Sequence, residues 1–179
     1  PWSVAIATTL FLLLLAVPVL SLRLGFSDES NFAAGSTTRK AYELTSAAFG
    51  PGTNGPLLLT AEVTAPDDGA VRVGLGGTLA STDGVASVGG PIPDNVDDPM
   101  SSRAVIIQVI PTTGPQDAAT TDLVHRLRDD IVPAATADTD MVVNVTGSVA
   151  ANIDFSSYLT ARLPVFFIAG SVLFANRVK

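Results

Sequence analysis

His125 is the single histidine of a 179-residue chain, and Asp129 follows it four positions later. On a helix that spacing stacks the two side chains, and a His–Asp pair can form half of an acid–base device. No serine stands in a nucleophile-elbow context to complete it. Polar pairs at i,i+4 are routine on exposed helices, so this pair reads as solvated surface. Asp94, Asp97 and Asp98 share a loop with Pro91, Pro93 and Pro99. Three carboxylates can hold a hard cation, but this spacing fits no EF-hand loop and such clusters usually face water. Gly74-Leu75-Gly76-Gly77 invites a nucleotide-binding reading. Leu79 stands where the third glycine of G-x-G-x-x-G belongs, and the run lies inside an expected helix instead of at its start. Asn144-Val145-Thr146 has the glycosylation pattern but falls in a strand expected to be buried, so it reads as chance. No catalytic, cofactor-binding or metal site emerges, and the chain is not expected to be an enzyme.

Asn152 and Asp154 differ from these in their setting. They lie on a helical stem that leads into an uncharged run, Leu163 to Ala175. Polar groups at a membrane entrance can line a substrate path, and they are equally ordinary on a stem, so both readings stand.

Composition narrows the class. Ten basic and 17 acidic residues give a net charge of −7, with pI near 4.4, which argues against a nucleic-acid partner that needs a basic face. The absence of cysteine excludes disulfides, Cys-ligated zinc and iron–sulfur clusters. Mean hydropathy is +0.42 although only 15% of residues are charged, so apolar material is concentrated somewhere. Residues 1–22 carry no charge, and Trp2 to Leu22 would span about 31 Å as a helix, against a bilayer core of about 30 Å. The basic start, short apolar core and small-residue exit of a signal peptide are missing. A membrane helix over 1–22 is therefore expected. Residues 163–179 read as the start of a second membrane helix, because the apolar run would cover only about 20 Å before it stops in Asn176-Arg177-Val178-Lys179. With no initiator Met either, the chain reads as a fragment of something larger. Residues 23–162 hold every acidic residue and form one domain, whose charge is compatible with the outer side of a membrane.

Periodicity supplies the elements of that domain. Ser36 caps a helix over about 39–49, with Ala41, Leu44 and Ala48 as its inward face and Arg39–Glu43 as an i,i+4 pair; Gly50 and Pro51 stop it. Leu57–Val63 is a strand. Val71, Leu75 and Leu79 mark a helix whose three internal glycines imply packing support or a close backbone approach. Val85–Val88 is a short strand, and Ala104–Ile110 is a central strand apolar on both faces. Gly114-Pro115 opens a helix to about Ile131, with Leu123, Leu127 and Ile131 buried and Asp122–Arg126 and Arg126–Asp130 as surface pairs. Met141–Val145 is the last strand, after which Ser148 caps the stem helix. Strand–helix–strand–strand–helix–strand is the split βαβ, ferredoxin-like pattern of an α+β fold (βαββαβ), with helices on one face of a mainly antiparallel sheet.

Four stretches then resemble one family: Arg23–Asn31, Thr37–Val63, Arg103–Ala134 and Asn152–Phe166. The most specific pieces are two loop motifs. The first is Phe49-Gly50-Pro51-Gly52-Thr53-Asn54-Gly55-Pro56, and the second is Pro111-Thr112-Thr113-Gly114-Pro115-Gln116-Asp117. Together they resemble the MMPL transporters of the resistance–nodulation–division superfamily. The resemblance implies the first helix of a second half-transporter, its ferredoxin-like porter domain and the beginning of the next helix. It implies outward movement of lipids or other hydrophobic compounds, driven by protons, in the plasma membrane with the porter domain outside. The implied partners are the bilayer, the remaining transporter helices, the first porter domain and a lipid-like cargo; no cofactor and no nucleic acid is implied. The family's Asp–Tyr proton relay lies in helices outside this chain, so the chain alone is not expected to transport. A second reading, from the two apolar ends alone, is the extracytoplasmic sensing domain of a two-span receptor.

Overall fold

The computed structural model describes residues 2–18, 27–62 and 68–177. Helix α1 spans Trp2–Ala16 and α2 spans Thr37–Phe49. Strand β1 (Leu57–Glu62), α3 (Asp68–Ala80) and β2 (Val85–Val88) follow, then a two-residue strand β3 (Ile92–Pro93) and β4 (Ala104–Pro111). The chain continues through α4 (Ala118–Arg126), a π turn (Leu127–Ile131), α5 (Val132–Thr136), β5 (Val142–Thr146) and α6 (Ser148–Arg177). With α4, the π turn and α5 taken as one run, five helices accompany a five-stranded antiparallel sheet among the described residues, an α+β fold.

The sheet order is β2-β4-β1-β5, with β3 also on β4. β1 is antiparallel to both β4 and β5, with Leu59 opposite Ile107 on one side and Val145 on the other. Strand side chains alternate in direction, so this register gathers Leu57, Leu59, Ala61, Val105, Ile107, Val109 and Val145 on one face. Leu75 and Leu79 of α3, Leu123 and Val124 of α4, and Val149 and Ala150 of α6 close over them. The opposite face is open. Leu58, Thr60, Gln108, Asn144 and Thr146 are half-buried or exposed, and Ile106 is 40% exposed.

Several expectations are corrected here. β4 is central in the sheet but covered on one face only. Asn144 and Thr146 sit exposed on the edge strand β5 and not in a buried strand. Helix α2 has no buried residue: Ala41, Leu44 and Ala48 point outward, and Tyr42, Thr45 and Ser46 are the half-buried side. Gly74, Gly76 and Gly77 face open space, so no close backbone approach explains them. Arg126 donates to the Asp83 carbonyl at 2.7 Å instead of pairing with Asp122 or Asp130. The helix expected over 114–131 begins at Ala118 and does not stay regular. Pro133 has no N–H for the Asp129 carbonyl, and its ring crowds that carbonyl. The chain opens into a π turn, closed by the Val132 N–H to the Leu127 carbonyl. Leu127 and Val132, five apart, then both face the core, while Ile131 is only half-buried. The Ser148 cap is also displaced: Ser148 is the first helical residue, and the Gly147 carbonyl accepts from the Ala151 N–H at 2.9 Å.

Among the described residues, no helix is long and apolar enough to cross a membrane. α1 covers 15 residues of the span expected over 1–22, about 22 Å of helix; residues 19–22 lie outside the described residues. Its side chains are exposed throughout. α6 runs unbroken through the boundary expected at 162–163, with Pro164 inside it. Val63 and residues 23–26 of the first resembling stretch also lie outside the described residues.

Candidate functional site: where two loop motifs meet

The two loop motifs are about 60 residues apart in the chain and form one junction in space. The reason is steric. Helix α2 ends at Gly50, whose φ of 91° is a left-handed value that suits glycine. Pro51 then starts a single 3-10 turn, Pro51–Asn54, which carries the chain back towards the sheet. Gly52 is buried there, and a Cβ on it would overlap the carbonyl oxygen of Pro111. A Cβ on Gly55 would stand 2.7 Å from the Pro115 Cβ and 2.9 Å from Val149 Cγ2 on α6. Glycine is thus the residue that lets the first motif lie on the second and on the root of α6. Gly147 closes the third side: its φ is 109°, and a Cβ would come within 2.9 Å of the Pro56 carbonyl oxygen. Pro111 is fully buried at the end of β4. Phe49, in contrast, is 75% exposed and takes no part in the packing.

Hydrogen bonds complete the junction. Asn54 Nδ2 donates to Ser46 Oγ at 2.7 Å and to the Tyr42 carbonyl at 3.3 Å, tying the turn to α2. The Gly114 N–H donates to Asp117 Oδ2 at 2.7 Å. Buried Thr120 Oγ1 donates to the Gly114 carbonyl at 2.7 Å. Its single proton is used there, so the Thr113 hydroxyl, 2.7 Å away, is the donor of that pair. The Thr112 N–H donates to the Gly84 carbonyl at 2.9 Å. Tyr42 faces Gly114, and burial, helped by the Asp28 and Asp117 carboxylates, pushes its phenol above the usual range. Helix α2 and the sheet are in this way joined through close contacts and hydrogen bonds, one of them to the Asp117 carboxylate.

Asp154 lies elsewhere and does something different. Arg128, on the π turn, donates from Nη1 to Asp154 Oδ1 at 2.5 Å and from Nη2 to Asp154 Oδ2 at 2.9 Å. Nη2 also donates to the Val145 carbonyl of β5 at 2.9 Å. The Arg128 hydrogen bonds outweigh desolvation and hold the Asp154 carboxyl below its usual range. Arg128 is raised in turn by the hydrogen bonds to Asp154. Asn152, half-buried two residues earlier, has no part in this pair.

The remaining candidates stay separate. His125 and Asp129 are both exposed, and no hydrogen bond joins them among the described residues. Asp94 is desolvated, which raises its pKa, but the Ala104 and Arg103 N–H groups and the Ser102 hydroxyl outweigh that and lower it. Its Oδ1 accepts from the Arg103 N–H at 3.1 Å, so it pins the loop onto β4. Among the described residues, no group of three or more His, Cys, Asp or Glu is placed to hold a metal. Sequence reasoning singled out both motifs but not their contact, and it missed Arg128, Thr120 and Gly147. Pro133 was the available signal for Arg128, since it forces the turn on which Arg128 sits.

No family profile matches the chain. Two curated proteins do. One is "Membrane protein YdfJ" of Bacillus subtilis (strain 168), 33% identical over 171 residues, which are 94% of this chain and 22% of that protein. The other is "Mycolic acid-containing lipids exporter MmpL11" of Mycolicibacterium smegmatis (strain ATCC 700084 / mc(2)155), 25% identical over 176 residues, 94% of this chain and 18% of that protein. The chain is a distant relative of a membrane transporter. It spans about a fifth of the length of the curated relatives it matches. Both matches run through the junction, because each covers nearly all of the chain.

Proposed function

We propose that the chain is the second porter domain of a proton-driven MMPL-type exporter of the resistance–nodulation–division superfamily. The observation that carries this reading is the likeness to YdfJ, continuous over 94% of the chain but confined to 22% of that protein. The likeness to a protein named as a lipid exporter supports lipids or other hydrophobic compounds as the cargo. The order β2-β4-β1-β5, antiparallel throughout and helix-covered on one face, supports a ferredoxin-like porter fold. The uncharged, exposed α1 and the apolar outer part of α6 support attachment to the bilayer at both ends, with the acidic domain outside. On this reading the domain has no catalytic residue and no cofactor. It supplies surface to the path of the cargo, with Asn152 beside that path, and the remaining helices and the first porter domain are its partners.

The test is the DNA on both sides of this reading frame. The exporter reading expects further apolar spans upstream and downstream, with Asp–Tyr pairs in the central ones. A start codon immediately before Pro1 and a stop immediately after Lys179 would overturn it.

A further inference from the structure

Helix α6 is held to the sheet domain at two points. Its root is apolar: Val149 and Ala150 are buried against the core, and Ile153 packs beside them. One residue further on, Asp154 meets Arg128. Beyond that point the helix leaves the domain, and Ser157 to Phe166 are all exposed. A root alone fixes where a helix starts. A second contact, off the axis and on another element, is needed to fix the direction in which it leaves.

We infer that the Arg128–Asp154 pair is the device that sets the direction of α6, with Asp154 as a positioning residue and the π turn as its seat. Three features carry the inference. The pair is bidentate, so it constrains orientation as well as distance. The same guanidinium holds the Val145 carbonyl on β5, so α6 is referred to the sheet and not merely to a neighbouring helix. The seat itself is irregular, because Pro133 denies the helix its normal bond, and π turns are frequent at functional positions. From Asp154 to Leu173 the helix is a lever of about 28 Å, so a tilt of about 10° at the clasp moves the far end by about 5 Å. Beyond the apolar root, movement of the stem would reach the sheet through this pair of side chains. The device is independent of whether the stem serves an exporter.

The chain has no cysteine, so two can be introduced and spin-labelled without background. One pair of labels, Ser87→Cys with Leu173→Cys, reads the stem against the sheet. A second, Ser87→Cys with Ala119→Cys, reads the domain alone. Both are measured by double electron–electron resonance on the whole chain in detergent micelles, with and without Asp154→Asn. Pro164 is present in every sample, so any width that it adds is common to all. The expected result is a Ser87–Leu173 distribution broadened or shifted by several ångströms in Asp154→Asn, with the Ser87–Ala119 distance unchanged. Asp154→Glu, which keeps the carboxylate, recovers most of the original width. Identical stem distributions with and without Asp154→Asn would overturn the inference. So would an equal change in both label pairs, because the pair would then support the fold in general.

Discussion

The junction of the two loop motifs and the Arg128–Asp154 pair both fasten a helix to the same sheet, by opposite physical means. At the junction, glycine backbone lies on close neighbours: Gly52 on the Pro111 carbonyl, Gly55 on the Pro115 ring and Val149, Gly147 on the Pro56 carbonyl. Carbonyls and proline rings have little room to turn aside, so the fit is set largely by excluded volume. At the clasp, long charged side chains meet with 27% and 58% of their surfaces exposed. Water competes for them, and such pairs contribute about 0–1 kcal/mol. The difference teaches where the domain is rigid by construction and where it can be re-aimed. Helix α2 is set by the first kind of contact, and the direction of α6 by the second.

The sharpest way to break this contrast is Gly52→Ala. The new Cβ meets a backbone carbonyl that has no rotamer to escape into, and the expected loss is roughly 3 kcal/mol or more. At about 2–4 °C per kcal/mol for a chain of this size, thermal unfolding by circular dichroism should fall by about 6–12 °C. Thr120→Val comes next. It leaves the Gly114 carbonyl without its donor and the Thr113 hydroxyl without its acceptor, inside the domain. Chemical denaturation should show a loss of about 1–3 kcal/mol. Gly77→Ala runs in the opposite direction. Its Cβ enters open space on α3, so the variant should be more stable by about 0.5–1 kcal/mol in the same assay.

The clasp gives the smallest effect on stability. Asp154→Asn should cost at most about 1 kcal/mol of stability while it still alters the stem direction. The sign of its pH dependence follows from the lowered carboxyl pKa. The stabilisation is complete above the ordinary carboxylate value and is lost as pH falls through the lowered one. Denaturation of the natural chain and of Asp154→Asn should therefore converge on acidification and stay apart near neutrality. A difference that persists at low pH would remove the ion pair as its cause.

How much of this was legible depends on the range of the interaction. The strands could be read because β-branched runs alternate locally, and α2 could be bounded because Ser36 and Gly50 are local caps. The inward face of α2 could not. Ala41, Leu44 and Ala48 have the helical spacing of a buried stripe, yet α2 rests mainly on the short 3-10 turns Glu29–Asn31 and Pro51–Asn54 beside it, and that stripe is left exposed. β3 escaped notice because two residues carry no period. The π turn depends on a single missing N–H at Pro133, which a periodic stripe does not register. The motifs themselves stood out as unusual loop text. Their meeting did not, since nothing in Gly52 announces that Pro111 will lie on it. Asp154 was readable as a polar stem residue, but its partner is 26 positions away on a helix that had been expected to be regular.

Two separate motifs act as one junction, and hydrogen exchange read by mass spectrometry tests that directly. The comparison is between the natural chain and Gly55→Ala, whose Cβ presses on Pro115 and on Val149. Protection is expected to fall together in residues 49–56, in 111–117 and in α2, while the centre of β1 and β4 keeps its protection. Faster exchange confined to 49–56, with 111–117 and α2 unchanged, would contradict it.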